Sequence, residues 1–176
     1  MKQLTTIEQI KQNTRFVSKH VDDGRIGLCI DEAERLDVKP QLGDALYVQL
    51  KEWAGDNPPA GLPDFAQLMD GGQYEDCRGN LREFAGLRMA LNYYVYARLV
   101  RQTSFSVTRF GFVEKQDQYS TQAELQERLA AEKDARTVAD TYMGECLAYL
   151  QARKDHFAAF GGGKQKNRLR ISIIGD

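Results

Sequence analysis

The chain has 176 residues, 42% hydrophobic and 28% charged, the balance of an ordinary soluble globular protein long enough to bury one sizeable core. Its formal net charge is −1, so no global basic field draws it to nucleic acid or to an anionic membrane, and any such contact must be local. The opening "MKQLTTIEQIKQNT" lacks the uninterrupted apolar core of a signal peptide, and no later run approaches the roughly 18–20 apolar residues of a membrane span; the expectation is an intracellular protein.

Taken in chain order, residues 6–12 can form a short helix, followed by an irregular or extended "NTRFVSKHV". Asp22 or Asp23 can cap the next helix, in which Ile26, Cys29, Ile30, Ala33 and Leu36 fall on one face. Pro40 suits a first helical turn and is expected to restart the chain, with Leu42, Ala45, Leu46, Gln49, Leu50 and Trp53 making the stripe of the second arm of a helical hairpin. Residues 54–63, "AGDNPPAGLP", read as a loop, and "DFAQLMDGG" as one or two turns ended by Gly71 and Gly72. A long helix is then expected from Asn80, with Phe84, Leu87, Leu91 and Val95 on one side and Ala85, Met89, Tyr93, Tyr96 and Val100 on another. Such a helix belongs in the middle of a bundle or faces a partner.

Residues 103–120, "TSFSVTRFGFVEKQDQYS", interrupt this helical pattern with a strand-like aromatic run. Its large apolar residues, Phe105 and Val107, change phase to Phe110 and Phe112, which calls for a turn, a bulge or a change of partner. Thr108-Arg109 at the switch has none of the Asn or Gly of a tight hairpin, so a bulged or bent arm is expected. Its backbone groups need partners, and two solutions stay open: pairing with residues 168–174 of the same chain, or adding to a strand of an adjacent subunit.

Thr121 and Glu124 have the spacing of a capping box, and helical sequence continues to about Phe160. Forty helical residues would span roughly 60 Å, more than the width of a domain this size. The largely charged first half, with only Leu125 and Leu129 as an apolar seam, is therefore expected to project from the core or lie against a neighbour, with a bend at Gly144 as one means. The second half, with Val138, Ala139, Tyr142, Met143, Cys146, Leu147 and Leu150, is the part that can pack. Three glycines then release a basic tail carrying Lys164, Lys166, Arg168 and Arg170, in which Leu169, Ile171 and Ile173 alternate as in a strand.

No catalytic constellation emerges, and no enzyme, cofactor, metal or small-molecule substrate is expected. Asp31, Glu32 and Glu34 lie beside an apolar stripe as a solvated face would, and His20 and His156 have no metal-ligand spacing. "GGGK" at 161–164 lacks both the spacing and the hydroxyl of a phosphate loop, and "VDDGR" lacks the alternating ligands of a calcium loop. Tyr93, Tyr94 and Tyr96 sit on a helix without interleaved cations and read as core or interface. Cys29, Cys77 and Cys146 are odd in number and widely spaced, which argues against disulfides and zinc; Cys29 and Cys146 read as small buried hydrophobes.

The segments "DEAERLDVKPQLGDALYVQL" (31–50), "MDGGQYED" (69–76), "FAGLRMALNYYVYARLV" (84–100) and "VTRFGFVEKQDQYS" (107–120) resemble a family of uncharacterised phage and prophage proteins associated with Bacteroides. That family in turn resembles the head–tail connector, or adaptor, proteins of tailed bacteriophages, over about residues 5–160 of this chain. The resemblance implies a non-catalytic helical protein that forms a ring at the portal and meets tail-completion proteins, found in the host cytoplasm during assembly and then at the head–tail junction, with non-specific DNA contact in the channel.

The resulting expectation is a mainly α protein: a bundle of five to six helices with one long C-terminal helix and a small β arm or ribbon at about 104–113 and 168–174. Residues 1–160 form the connector-like domain with its arm at 103–118, and 161–176 the basic flexible tail. Subunit or partner contacts are expected at Phe105, Val107, Arg109, Phe110, Phe112, Lys164, Lys166, Arg168 and Arg170. A helical binding module that grips nucleic acid or a protein through the basic tail is the alternative.

Overall fold

The structure is a computed structural model that describes residues 2–15, 17–18, 20–102 and 125–161 in full, and residues 105–108 and 111–114 as backbone. Helix α1 (Ile7–Asn13) starts at a reciprocal capping box: Thr6 Oγ1 accepts from Gln9 N–H, and Gln9 Oε1 accepts from Thr6 N–H at 3.1 Å. Helix α2 (Asp23–Ala33) is capped by Asp22, which accepts from Arg25 N–H at 2.8 Å, and it buries Ile26, Cys29, Ile30 and Ala33 as their spacing predicts.

The chain passes Pro40 without stopping, contrary to the expectation of a restart there. Residues Glu34–Val38 form a π-helical turn in which Lys39 N–H bonds to the Glu34 carbonyl five residues back, and α3 (Lys39–Leu42) carries Pro40 in its first turn. The extra residue per turn rotates the side chains within it: Leu36, expected inside, is 63% exposed, while Val38 turns inward; Glu34, four residues after Ile30, is buried as well. The break falls at Gly43, whose φ of 85° is disfavoured for residues with a Cβ, and α4 (Asp44–Trp53) buries Leu46, Tyr47 and Leu50 beyond it.

After the loop at 54–65 and the single turn α5 (Ala66–Asp70), the structure departs again from the sequence reading. Residues 80–86 are not the start of the long helix. Strand β1 (Gly72–Glu75) pairs antiparallel with β2 (Leu81–Phe84), Gly72 opposite Phe84 and Glu75 opposite Leu81, and α6 (Leu87–Gln102) begins only after Gly86. Gly71 and Gly86 both have positive φ, at 82° and 87°, and a Cβ on Gly86 would stand 2.5 Å from Gly71 N. Two glycines thus let the backbones entering and leaving the hairpin touch. Asp76 organises the turn by accepting from Arg78 and Asn80 N–H at 2.9 Å each and from Arg82 Nε at 3.1 Å, and these donors hold its carboxyl far below the usual range.

Helix α6 is buried on most of its circumference, as its sequence predicts, with Leu87, Ala90, Leu91, Asn92, Tyr94, Val95, Ala97 and Leu99 inside. It packs along α7 (Leu125–Ala152), one helix that continues past Gly144. The pair is antiparallel: Ala85 N–H, just before α6, bonds to Glu145, and Arg101 at its far end reaches Glu132. Residues 125–131 of α7 lie outside the core, Leu125 and Leu129 being 57% and 49% exposed, as expected of the charged first half, but the rest of that half does not project, for Glu132 and Ala135 are buried. The hydrophobic core is contiguous from Leu4 to Phe160 and ends in an aromatic cluster where Phe84 stacks on Tyr149 at 4.6 Å and Tyr74 meets Tyr149 edge-on at 5.2 Å.

The segment joining α6 to α7 contains β3 (Phe105–Thr108) and β4 (Gly111–Glu114), antiparallel with Thr108 opposite Gly111. The four positions of each strand pair one to one, without a bulge within the described strands, unlike the bulged or bent arm expected from the absence of Asn and Gly at the phase switch; Arg109 and Phe110, which join the strands, lie outside the described residues. The two strands pair with each other; residues 168–174, the partner expected within the chain, lie outside the described residues, as does the capping sequence at Thr121 and Glu124.

Candidate functional site

Of the residues expected to mediate contacts, Phe105 and Val107 lie on β3 and Phe112 on β4, brought together by the register that sets Val107 opposite Phe112. Arg109, Phe110, Lys164, Lys166, Arg168 and Arg170 lie outside the described residues. The arm and the tail are therefore not shown to form one surface.

A site that the sequence reading did not find lies where the N-terminus of α2, the C-terminal end of α6 and α7 meet. Asp22, Gly24, Arg25, Leu28, Arg98, Arg101, Gln102 and Arg136 line a cleft of about 680 Å³. Its back wall is an ion-pair network. Arg98 donates from Nε to Asp37 at 2.9 Å and from Nη1 to Glu32 at 3.0 Å; Arg136 donates to Glu132 at 3.2 Å and to Asp37 at 3.4 Å. Asp37 and Glu132 are more buried than the arginines they pair with, and the lining of the cleft is made by Arg98 and Arg136 rather than by their carboxylate partners. Arg101 stands at the rim, its side chain 68% exposed, with one contact to Glu132 at 3.4 Å.

Asp37 and Glu132 sit 95 residues apart in sequence and cannot be linked by any local pattern. The available signal was helical spacing: Arg98 and Arg101 on α6, and Glu132 and Arg136 on α7, are i,i+3 and i,i+4 pairs on single faces. Gln41 and Tyr94 extend the network, Gln41 donating to Tyr94 Oη at 3.0 Å and Tyr94 donating to Asp140 at 2.6 Å. Burial, together with that bond to a carboxylate, pushes the Tyr94 hydroxyl far above the ordinary phenol range.

A second polar cluster corrects the reading of Asp31, Glu32 and Glu34 as a solvated face. Asp31 is exposed, but Glu32 pairs with Arg98, and Glu34 is buried against Lys51 at 2.7 Å. Glu34 also accepts from Leu4 N–H at 2.6 Å and Tyr47 Oη at 3.3 Å, and Lys51 donates to the Lys2 carbonyl. Burial first, and the charge of Glu34 second, push the Tyr47 hydroxyl up to about 12. The cluster ties the segment before α1 to α4; it is closed to a ligand by its own partners. Cys29 and Cys146 are buried in the core, with thiols pushed up by burial to about 11 and about 12, while Cys77 is exposed in the β1–β2 turn.

Among the described residues, no three His, Cys, Asp or Glu side chains are placed to hold a metal ion, and no helix is long and apolar enough to cross a membrane. Comparison with curated proteins and with solved structures gives no match. A protein family of unknown function, DUF6712, matches residues 38–169, three quarters of the chain, from the π turn through α7 and including both hairpins. The chain belongs to that family.

Proposed function

We propose that the protein is a structural subunit of a phage or prophage head–tail connector, assembling into a ring at the portal through its β3–β4 arm, with the basic tail as a second contact. It works in the host cytoplasm during assembly and at the virion's head–tail junction thereafter, without catalysis. The observation that carries this reading is the arm itself. Between α6 and the exposed first turns of α7 the backbone forms an antiparallel two-stranded ribbon, whose strands, among the described residues, neighbour chiefly each other. An isolated two-stranded ribbon is marginal in water, and among the described residues each strand has a neighbour on one edge only. A strand, helix or loop from an adjacent subunit would complete it, by the backbone pairing through which extended segments join a sheet edge.

Native mass spectrometry of the purified chain, with and without residues 104–113 and over a range of concentrations, tests this. A ring-sized oligomer that falls to monomer on deletion is the expected result; an oligomer that survives deletion would sink the arm's role. Salt-sensitive DNA binding by a monomeric chain, lost on removing residues 164–176, would transfer the function to a binding module that uses the tail.

A further inference from the structure

The cleft walled by Arg25, Arg101 and Arg136 has an apolar floor, for Leu28 within it is 56% exposed. Guanidinium groups around an apolar spot fit a surface of the opposite pattern, carboxylates around an exposed apolar side chain. The β1–β2 hairpin carries that pattern. Strand alternation buries Tyr74 and Phe84 on one face and leaves Glu75, Leu81 and Glu83 on the other, with Leu81 66% exposed and directly opposite Glu75. The remaining carboxylate of the turn, Asp76, is engaged by its own loop and by Arg82.

The two surfaces cannot meet within one chain. The hairpin adjoins the start of α6, across from Glu145 and Tyr149 of α7, and the cleft adjoins the end of α6, across from Glu132 and Arg136. Sixteen helical residues, about 24 Å at the usual rise, separate them. We propose that the outer face of the β1–β2 hairpin of one copy docks in the arginine-walled cleft of the next, Leu81 against Leu28 and Glu75 and Glu83 against the rim guanidiniums. The contact is head-to-tail, so it propagates, closing into a ring or extending as a filament according to the rotation per copy. It rests on the reading of the protein as an assembly subunit and gives that reading a second, specific interface. Asp22, the one carboxylate of the wall, lies at the α2 end and is engaged in capping Arg25 N–H, leaving the α6–α7 side to the incoming acids.

The test uses two full-length variants: Glu75→Arg/Glu83→Arg, which spoils the hairpin and leaves the cleft, and Arg101→Glu, which does the reverse. Both change exposed side chains, so folding, checked by circular dichroism, should be retained. Each variant alone should self-associate roughly tenfold or more weakly than the unaltered chain in sedimentation velocity at low salt, as expected for introduced like-charge contacts. Mixed, they should regain association, since the unaltered cleft of one then faces the unaltered hairpin of the other and the reversed charges on the remaining surfaces are also opposite in sign, and this association should weaken as salt rises. No association in the mixture beyond that of the separate variants, or variants that associate as the unaltered chain does, would overturn the proposal. The outcomes separate from those of the arm: assembly lost on deleting residues 104–113 but blind to both charge reversals keeps the arm and removes this contact, whereas association regained on mixing the variants of a chain whose assembly survives that deletion does the opposite.

Discussion

Glu34 and Lys51 form an ion pair with side chains 2% and 6% exposed. Removing two charges from water is repaid only when the pair is close and its remaining atoms are bonded, and here Leu4 N–H, the Tyr47 hydroxyl and the Lys2 carbonyl supply those bonds. Losing one partner leaves the other charged and buried. Lys51→Met should therefore destabilise the fold by about 3 kcal/mol, and a compensating Glu34→Gln in the same chain should recover part of the loss. Urea unfolding of the single and double variants checks both statements; equal stability of Lys51→Met and the unaltered chain would mean that the carboxylate finds water. Helical spacing does separate Glu34 from Asp31 and Glu32: it stands four residues after Ile30 and eight after Ile26, on the buried stripe itself, and the π turn that begins there leaves Leu36 outside.

At the scale of elements, the helices whose apolar period is regular were legible: α1, α2, α4, the body of α6 and the packed half of α7 fall where 3.6-residue spacing predicts. The two hairpins were not. "QYE" and "REF" are too short to show alternation, and Asn80, which resembles a helix cap, is instead part of a turn ordered by Asp76. Glycine carried the missing signal in a form that only the backbone reveals, because Gly71 and Gly86 belong together. Gly86→Ala would place a Cβ 2.6 Å from the Met69 carbonyl oxygen in a conformation that itself costs roughly 1–2 kcal/mol. The expected loss is at least about 2 kcal/mol. Gly79→Ala provides the comparison, since that glycine also has positive φ, 78°, but its Cβ would meet nothing within 4 Å. Thermal unfolding should show the larger drop for Gly86→Ala, and equal drops would remove the role of the close approach.

For the molecule as a whole, the three cysteines report how the core opens. Cys29 on α2 and Cys146 on α7 belong to one contiguous core, whereas Cys77 lies in an exposed turn. Because burial raises both core thiols above the ordinary range near 8.5, they remain protonated as well as covered at pH 8, and alkylation needs opening of the fold. Iodoacetamide should label Cys77 at once and Cys29 and Cys146 slowly at one common rate, the signature of a single cooperative unit. Distinct rates for the two core thiols would divide the bundle into separately opening halves.

The sequence by itself determined the class of this protein: a mainly helical bundle with a long final helix whose charged first turns leave the core, and a β interruption before it. Those properties follow from composition and from the spacing of apolar residues within single elements, and such spacing is local. Only the tertiary structure decided that the interruption is a hairpin, that a second hairpin precedes α6, that Glu34 is buried, and that arginines of α2, α6 and α7 share one cleft. Each of these depends on groups distant in the chain, such as Gly71 with Gly86 or Asp37 with Arg136, meeting across the fold. Pairing of that kind is a property of packing, and a linear pattern carries no record of it.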